Sequence, residues 1–274
     1  MIENNKLPIP NGISIGDFLN ELAYHESAHF VLNQLIIKLD LGFPETDWIF
    51  IAVDETGQFV ARGMVHTVNW PFHIIRRFFS ENLKRVSANI LKTAAGYASY
   101  PIFCNPNDQF ISFNVTYNKD QTPEIVFPQY LNLREAFELT RNRPSDIVRI
   151  DITFLHEYYQ VRGDEKKFRI IEATFDLVDE ILRKEKVSEA IELVKTKLLE
   201  NGSDILAGSY YNSIKRLERE RNEVERGAWQ YFELSGEELE NLKGELNTIL
   251  ETINIRDSVE QLHKKIESIK AENT

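Results

Sequence analysis

Hydrophobic and polar positions near the start of the chain fall into a helical rhythm. Phe18, Leu22, His25, His29, Leu32 and Ile36 recur at alternating spacings of four and three, which is one continuous face of a helix. Ser14 and Asp17 give that helix a capping-box-like start, with Asp in place of the usual Glu. Leu41-Gly42-Phe43-Pro44 ends the pattern. Two short runs follow, 47–53 and 58–65, joined by the turn residues Asp54-Glu55-Thr56-Gly57, and they predict a β-hairpin.

Helical periodicity returns over 80–100, where Leu83, Val86, Ile90, Ala94 and Tyr97 form the apolar stripe. Thr93 to Ser99 is rich in small residues, so another helix can approach closely there. The helix carrying the two histidines is the expected partner. Residues 101–130 contain four prolines and one clear alternating strand at 111–117, which predicts an irregular insertion with one or two strands. From Leu131 the pattern is helical, with segments near 131–141, 145–161, 165–184, 187–200 and 206–232 and a break at Asn201-Gly202-Ser203-Asp204. Beyond Ser235 and Glu238, which form a capping box, Leu239, Leu242, Leu246, Ile249 and Ile253 follow heptad spacing. The spacing slips near Asn254 and resumes at Val259, Leu262, Ile266 and Ile269. This narrow seam needs a partner, either the body of the protein or a second copy in a homodimer. The expected fold class is mainly α with a small β-hairpin or sheet (α+β). The expected domains are 1–204, with the insertion at 101–130, and a helical hairpin or coiled-coil-like tail at 205–274.

The chemistry lies in His25-Glu26-Ser27-Ala28-His29, an H-E-x-x-H pentapeptide. Positions i and i+4 of a helix stand one turn apart on one face, so two imidazoles can hold one zinc ion. The glutamate between them can take a proton from an attacking water. Both histidines fall on the face expected to be buried, and buried polar groups must be bonded. A metal supplies that bonding. The plain alternative is a hydrogen-bonded pair of core histidines beside an incidental glutamate.

A catalytic zinc needs a further protein ligand. The extended pattern with a third histidine is absent, since Leu32 and Leu35 stand at its Gly and His positions. His66 and His73, near Trp70-Pro71, could approach the site. His156 falls mid-helix, and His263 is expected on the solvated surface of the tail. Among carboxylates Asp146 stands out, because Pro144-Ser145-Asp146 opens a helix whose dipole keeps a first-turn aspartate ionised. Asp151, Glu81 and Glu157 remain alternatives.

These landmarks resemble, in order, the peptidase domain of the FtsH family, the membrane-anchored AAA zinc proteases. Tyr24 to Phe30 resembles the family's zinc helix, and Gly57 to Met64 the strand pair after it. Ala95-Gly96-Tyr97-Ala98 resembles part of a family helix rich in small residues. Ser145-Asp146-Ile147-Val148-Arg149 resembles the segment whose aspartate is the family's third zinc ligand. The resemblance covers residues 14–200. It implies a zincin-like fold, with Zn2+ held by His25, His29 and Asp146 and Glu26 as general base. Ala28 and Phe30 depart from the family's Gly and Ala, and Tyr97 and Tyr100 from its Arg and Glu. No membrane segment and no G-x-x-x-x-G-K-[ST] loop occurs, so the expected substrate is a peptide or an unfolded protein segment.

Composition narrows the partners. With 32 Lys+Arg against 43 Asp+Glu, the net charge of -11 argues against non-specific binding to nucleic acid or anionic membrane. One cysteine, Cys104, excludes an internal disulfide framework and fits a reducing compartment. The first residues carry no basic or long apolar leader pattern, and a cytoplasmic location is expected. The expected activity is that of a zinc metallopeptidase. The competing expectation is a non-catalytic zincin-like scaffold acting through its tail, and a zinc hydrolase acting on a non-peptide bond is a third.

Overall fold

The computed structural model describes residues 15–54, 61–67, 71–104, 110–117, 123–131, 133–140, 146–203 and 229–272. The first helix, α1 (Ile15–Ile37), leads into strand β1 (Thr46–Asp54), which pairs antiparallel with β2 (Ala61–Thr67). The predicted hairpin is thus present, although its turn lies outside the described residues, as does Ser14. On its other side β1 pairs antiparallel with a strand from far along the chain, β6 (Trp229–Ser235). The short β5 (Gly202–Ser203) completes a sheet of order β2-β1-β6-β5.

The sequence reading had carried a helix through 232, so β6 is a correction. Its physical reason is non-local. Ile49 and Ile51 lie opposite Leu234 and Phe232, and all four side chains are buried. Such cross-strand apolar pairs stabilise a sheet, and they form only once β1 is present.

The sheet is small beside the helices. α2 (Phe72–Ser80), which the periodicity did not reveal, precedes α3 (Leu83–Ser99). Asn82 caps α3, its side chain accepting a hydrogen bond from the Lys84 backbone N–H at 3.0 Å. A wide π-type turn, Tyr100–Cys104, extends α3. The segment expected to be irregular contains a hairpin, β3 (Phe110–Tyr117) with β4 (Pro123–Leu131). Its register shifts between Ser112 and Asn114, opposite Phe127-Pro128, and a bulge is where a strand tolerates proline. Then come α4 (Leu133–Thr140), α5 (Asp146–Val148), α6 (Asp164–Leu182) and α7 (Glu185–Glu200). The last two are α8 (Gly236–Ile249) and α9 (Arg256–Ala271). No described helix is long and apolar enough to cross a membrane.

Helix α1 is not a one-faced helix. Between Glu21 and Ile36 every side chain except His29 is buried, because α3, α7 and the β1–β2 hairpin each cover a side of it. This burial holds the two histidines at the centre of the helical body.

α5 runs on as π-helical turns over Arg149–Tyr158. The wider turn changes which residues face inward. The Tyr159 backbone N–H donates to the Phe154 carbonyl at 3.1 Å, an i→i+5 bond. An ordinary helical phase would bury Tyr158. Here Tyr158 is half-buried and Tyr159 is fully buried.

The C-terminal helices settle on the body. Leu239, Leu242 and Leu246 of α8 are buried, and Val259, Leu262, Ile266 and Ile269 of α9 are buried where α9 packs on α3 and α6. The heptad seam therefore has its partner within the chain. Two details correct the sequence reading. Ser235 adopts the extended conformation of an N-cap, but its side chain makes no capping bond. His263 is not a solvated surface residue, because its Nδ1 lies 2.8 Å from the Tyr159 hydroxyl. The hydroxyl also lies 2.9 Å from the Leu83 carbonyl and 2.5 Å from Ser87 Oγ. A phenol has one proton, and the carbonyl can only accept it. Tyr159 therefore donates to Leu83 and accepts from Ser87 and from His263 Nδ1–H.

Candidate metal centre

Helical spacing alone puts His25 and His29 on one face of α1. Packing of α3 against that face then fixes how they stand. Gly96 of α3 presses on both rings: a Cβ built there would lie 2.4 Å from His29 Nε2 and 2.5 Å from His25 Nε2. Only glycine fits so close an approach. The small-residue run therefore does what its composition suggested, and at the histidines themselves. From the same helix the Lys92 carbonyl accepts a hydrogen bond from His29 Nδ1 at 2.7 Å.

Asp146 arrives from the first turn of α5. Its Oδ2 lies 3.2 Å from His25 Nε2 and 3.1 Å from His29 Nε2, and the two Nε2 atoms are 3.1 Å apart. The donor atoms form a nearly equilateral triangle. Tetrahedral zinc with bonds of about 2.0–2.1 Å sets neighbouring donors about 3.3 Å apart. The triangle matches one face of that tetrahedron.

Hydrogen bonding alone accounts poorly for the same atoms. His29 gives its Nδ1 proton to Lys92, so neutral His29 presents a lone pair at Nε2 toward the Asp146 carboxylate. Either a proton or a cation must lie between them. Without a cation, the surroundings favour the proton. Burial by itself would lower the pKa of His29, but the charge and hydrogen bond of Asp146 outweigh it and the net shift is upward. Burial likewise opposes ionisation of Asp146, and the two imidazoles overcome it, holding the carboxyl well below its ordinary range. A divalent cation would satisfy all three donors at once, so this residue set fits a zinc ion. Metal-bound histidines usually anchor their other ring nitrogen. Lys92 does this for His29, whereas His25 Nδ1 is buried without a hydrogen-bond partner among the described residues.

Glu26 stands beside the triangle. Its Oε1 is 4.0 Å from His25 Nε2, and the residue is 4 % exposed. Burial raises its pKa, against the lowering effect of the two histidines. The walls are aromatic. The rings of Tyr97 and Tyr100 each lie 5.4 Å from that of His25, centroid to centroid. Lys92, lowered to about 8 by desolvation and by the Arg149 charge, adds a cation under the influence of Asp146.

The other candidates go elsewhere. Asp151 pairs with Lys167 at 2.5 Å, and Glu81 with Arg77 at 2.6 Å. His73, His156 and Glu157 are exposed. His66 lies in β2, and its side chain is outside what is described. Among the described residues the sole group of histidine, cysteine or carboxylate side chains close enough to share a metal is His25, His29 and Asp146. Sequence reasoning missed Gly96 and the Lys92 carbonyl. A glycine amid small residues was the available signal for the first, and a backbone carbonyl leaves none.

Comparison with protein-family models finds no match, and comparison with curated proteins finds no relative.

Proposed function

We propose that this chain is a zinc-dependent metallopeptidase with a zincin-like fold, cleaving peptide bonds in peptides or unfolded protein segments. The observation that carries the reading is a triangle of donor atoms sized for zinc, with the Glu26 carboxylate 4.0 Å from one of them. The order of landmarks supports it too: H-E-x-x-H helix, hairpin, small-residue helix and first-turn aspartate follow as in the FtsH-like peptidase domain that the sequence resembles. The one cysteine fits a reducing, cytoplasmic setting.

His25, His29 and Asp146 would hold the ion, which when bound supplies Lewis acidity to a water and a substrate carbonyl. Glu26 accepts one proton of the attacking water, whose oxygen forms the new C–O bond as the carbonyl π pair moves onto its own oxygen. When the C–N bond breaks, Glu26 returns that proton to the amine nitrogen. Its burial suits the task, because a raised pKa lets the carboxyl hold the proton between the two steps. Among the described residues β2 has β1 as its one partner strand. Its outer edge offers backbone groups to an extended peptide, and β2 also packs against α1.

A second reading, a non-catalytic zincin-like scaffold, is favoured by one observation: at 4 % exposure Glu26 is nearly closed to water. Incubation with casein, with and without a chelator, separates the two. The peptidase reading expects chelator-sensitive hydrolysis that Glu26→Gln abolishes while zinc content is unchanged. Absence of hydrolysis with zinc in place favours the scaffold.

A further inference from the structure

The Tyr97 hydroxyl beside the three donor atoms has no part in the steps assigned to Glu26 and the metal ligands. Tyr97 follows Gly96, the residue in contact with both metal-facing nitrogens. Its ring stands edge-on to His25, with centroids 5.4 Å apart and planes at 74°. The ring of Tyr100 also packs on it, at 6.0 Å and 87°, while touching His25 itself. The ring is half-buried and held, yet the hydroxyl has no hydrogen-bond partner among the described residues. Two other tyrosine hydroxyls are engaged: that of Tyr159 makes three such bonds, and that of Tyr24 bonds to Glu192 and Lys195. The hydroxyl is not among the buried atoms that lack a partner, so it is open to solvent and free to donate to a substrate bound beside His25.

We propose that the Tyr97 hydroxyl is a catalytic hydrogen-bond donor to the substrate's carbonyl oxygen as that oxygen gains negative charge. The inference rests on the metallopeptidase reading and adds the group that stabilises the oxyanion. The phenol stays protonated throughout. A phenol ionises only at about pH 10, so it donates without ionising. Donors of this kind act on developing charge rather than on the neutral carbonyl. Tyr97 should therefore discriminate between ligands by whether they present such an oxygen. A peptide phosphonate presents tetrahedral anionic oxygens. A small thiol binds a metal through sulfur and offers none.

The test uses the full chain loaded with Co2+, whose visible spectrum reports ligand binding directly, in wild type and Tyr97→Phe. Phenylalanine keeps the ring contacts with His25 and Tyr100, so the centre should stay intact. A peptide phosphonate should bind the variant on the order of tenfold or more weakly than wild type, with 2-mercaptoethanol binding both equally. Equal phosphonate affinity in the two proteins overturns the role of Tyr97 while leaving the metal centre standing. A wild-type spectrum that neither ligand perturbs overturns the accessible metal site itself, and the inference with it.

Discussion

Gly96 touches His29 so closely that a Cβ on it would fall 2.4 Å from Nε2. The contact is between helix backbone and imidazole, so neither side can yield cheaply. Gly96→Ala should therefore displace the rings and weaken zinc binding at least tenfold. Overpacking of this kind costs about 1–3 kcal/mol of stability. Zinc titration and thermal unfolding of the variant read both effects. Unchanged affinity would show that α3 does not set the imidazole geometry.

Metal and proton compete for His29. Its pKa is raised above the ordinary 6.5, so in the metal-free fold its proton stabilises below the unfolded pKa, and that contribution is lost as pH rises through the folded value. Asp146 is depressed below 3.8, so its contribution is present above that value and lost as pH falls through the folded one. The metal-free pair is thus most stabilising between these limits. Zinc should displace the His29 proton. Affinity is expected to rise from about pH 6 to about pH 8, with proton release at the lower end. Calorimetry in buffers of different ionisation enthalpy measures that release. A flat affinity with no proton released contradicts the assignment.

Much of this centre could be read from the chain, and the limits were physical. Helical spacing placed His25 and His29 together because i and i+4 share a face whatever the surroundings. Asp146 was legible as a first-turn acid, yet its meeting with the histidines across the fold is a tertiary event. Gly96 looked like a residue for close packing, but what it packs against is invisible until α1 and α3 are docked. Tyr159 was hidden for a different reason. The π-helical turns shift the phase, so Tyr159 rather than Tyr158 faces inward. Strand β6 was lost to the helical pattern before it, because its pairing with β1 is remote in sequence.

The Tyr159 hydroxyl joins α3 and α9 through Leu83, Ser87 and His263. Tyr159→Phe leaves these buried groups short of a partner and should cost about 1–3 kcal/mol. The cost should be nearly the same with zinc bound, since the network lies away from the metal ligands. Denaturant unfolding of both forms checks it.

Ile266 is fully buried where α9 meets the body. Ile266→Ala should destabilise by about 2–5 kcal/mol in one cooperative transition if α9 is integral to the fold. A separate early transition, with the remainder unfolding as in wild type, would show instead that the C-terminal helices form a detachable unit.

The metal centre is tested most directly by zinc content after exhaustive dialysis, read by elemental analysis in wild type, His29→Ala, Asp146→Ala and Asp151→Ala. The account predicts about one zinc per chain in wild type and Asp151→Ala, and loss of at least tenfold in affinity for the other two. No zinc in wild type, or zinc retained equally in His29→Ala and Asp146→Ala, would contradict it.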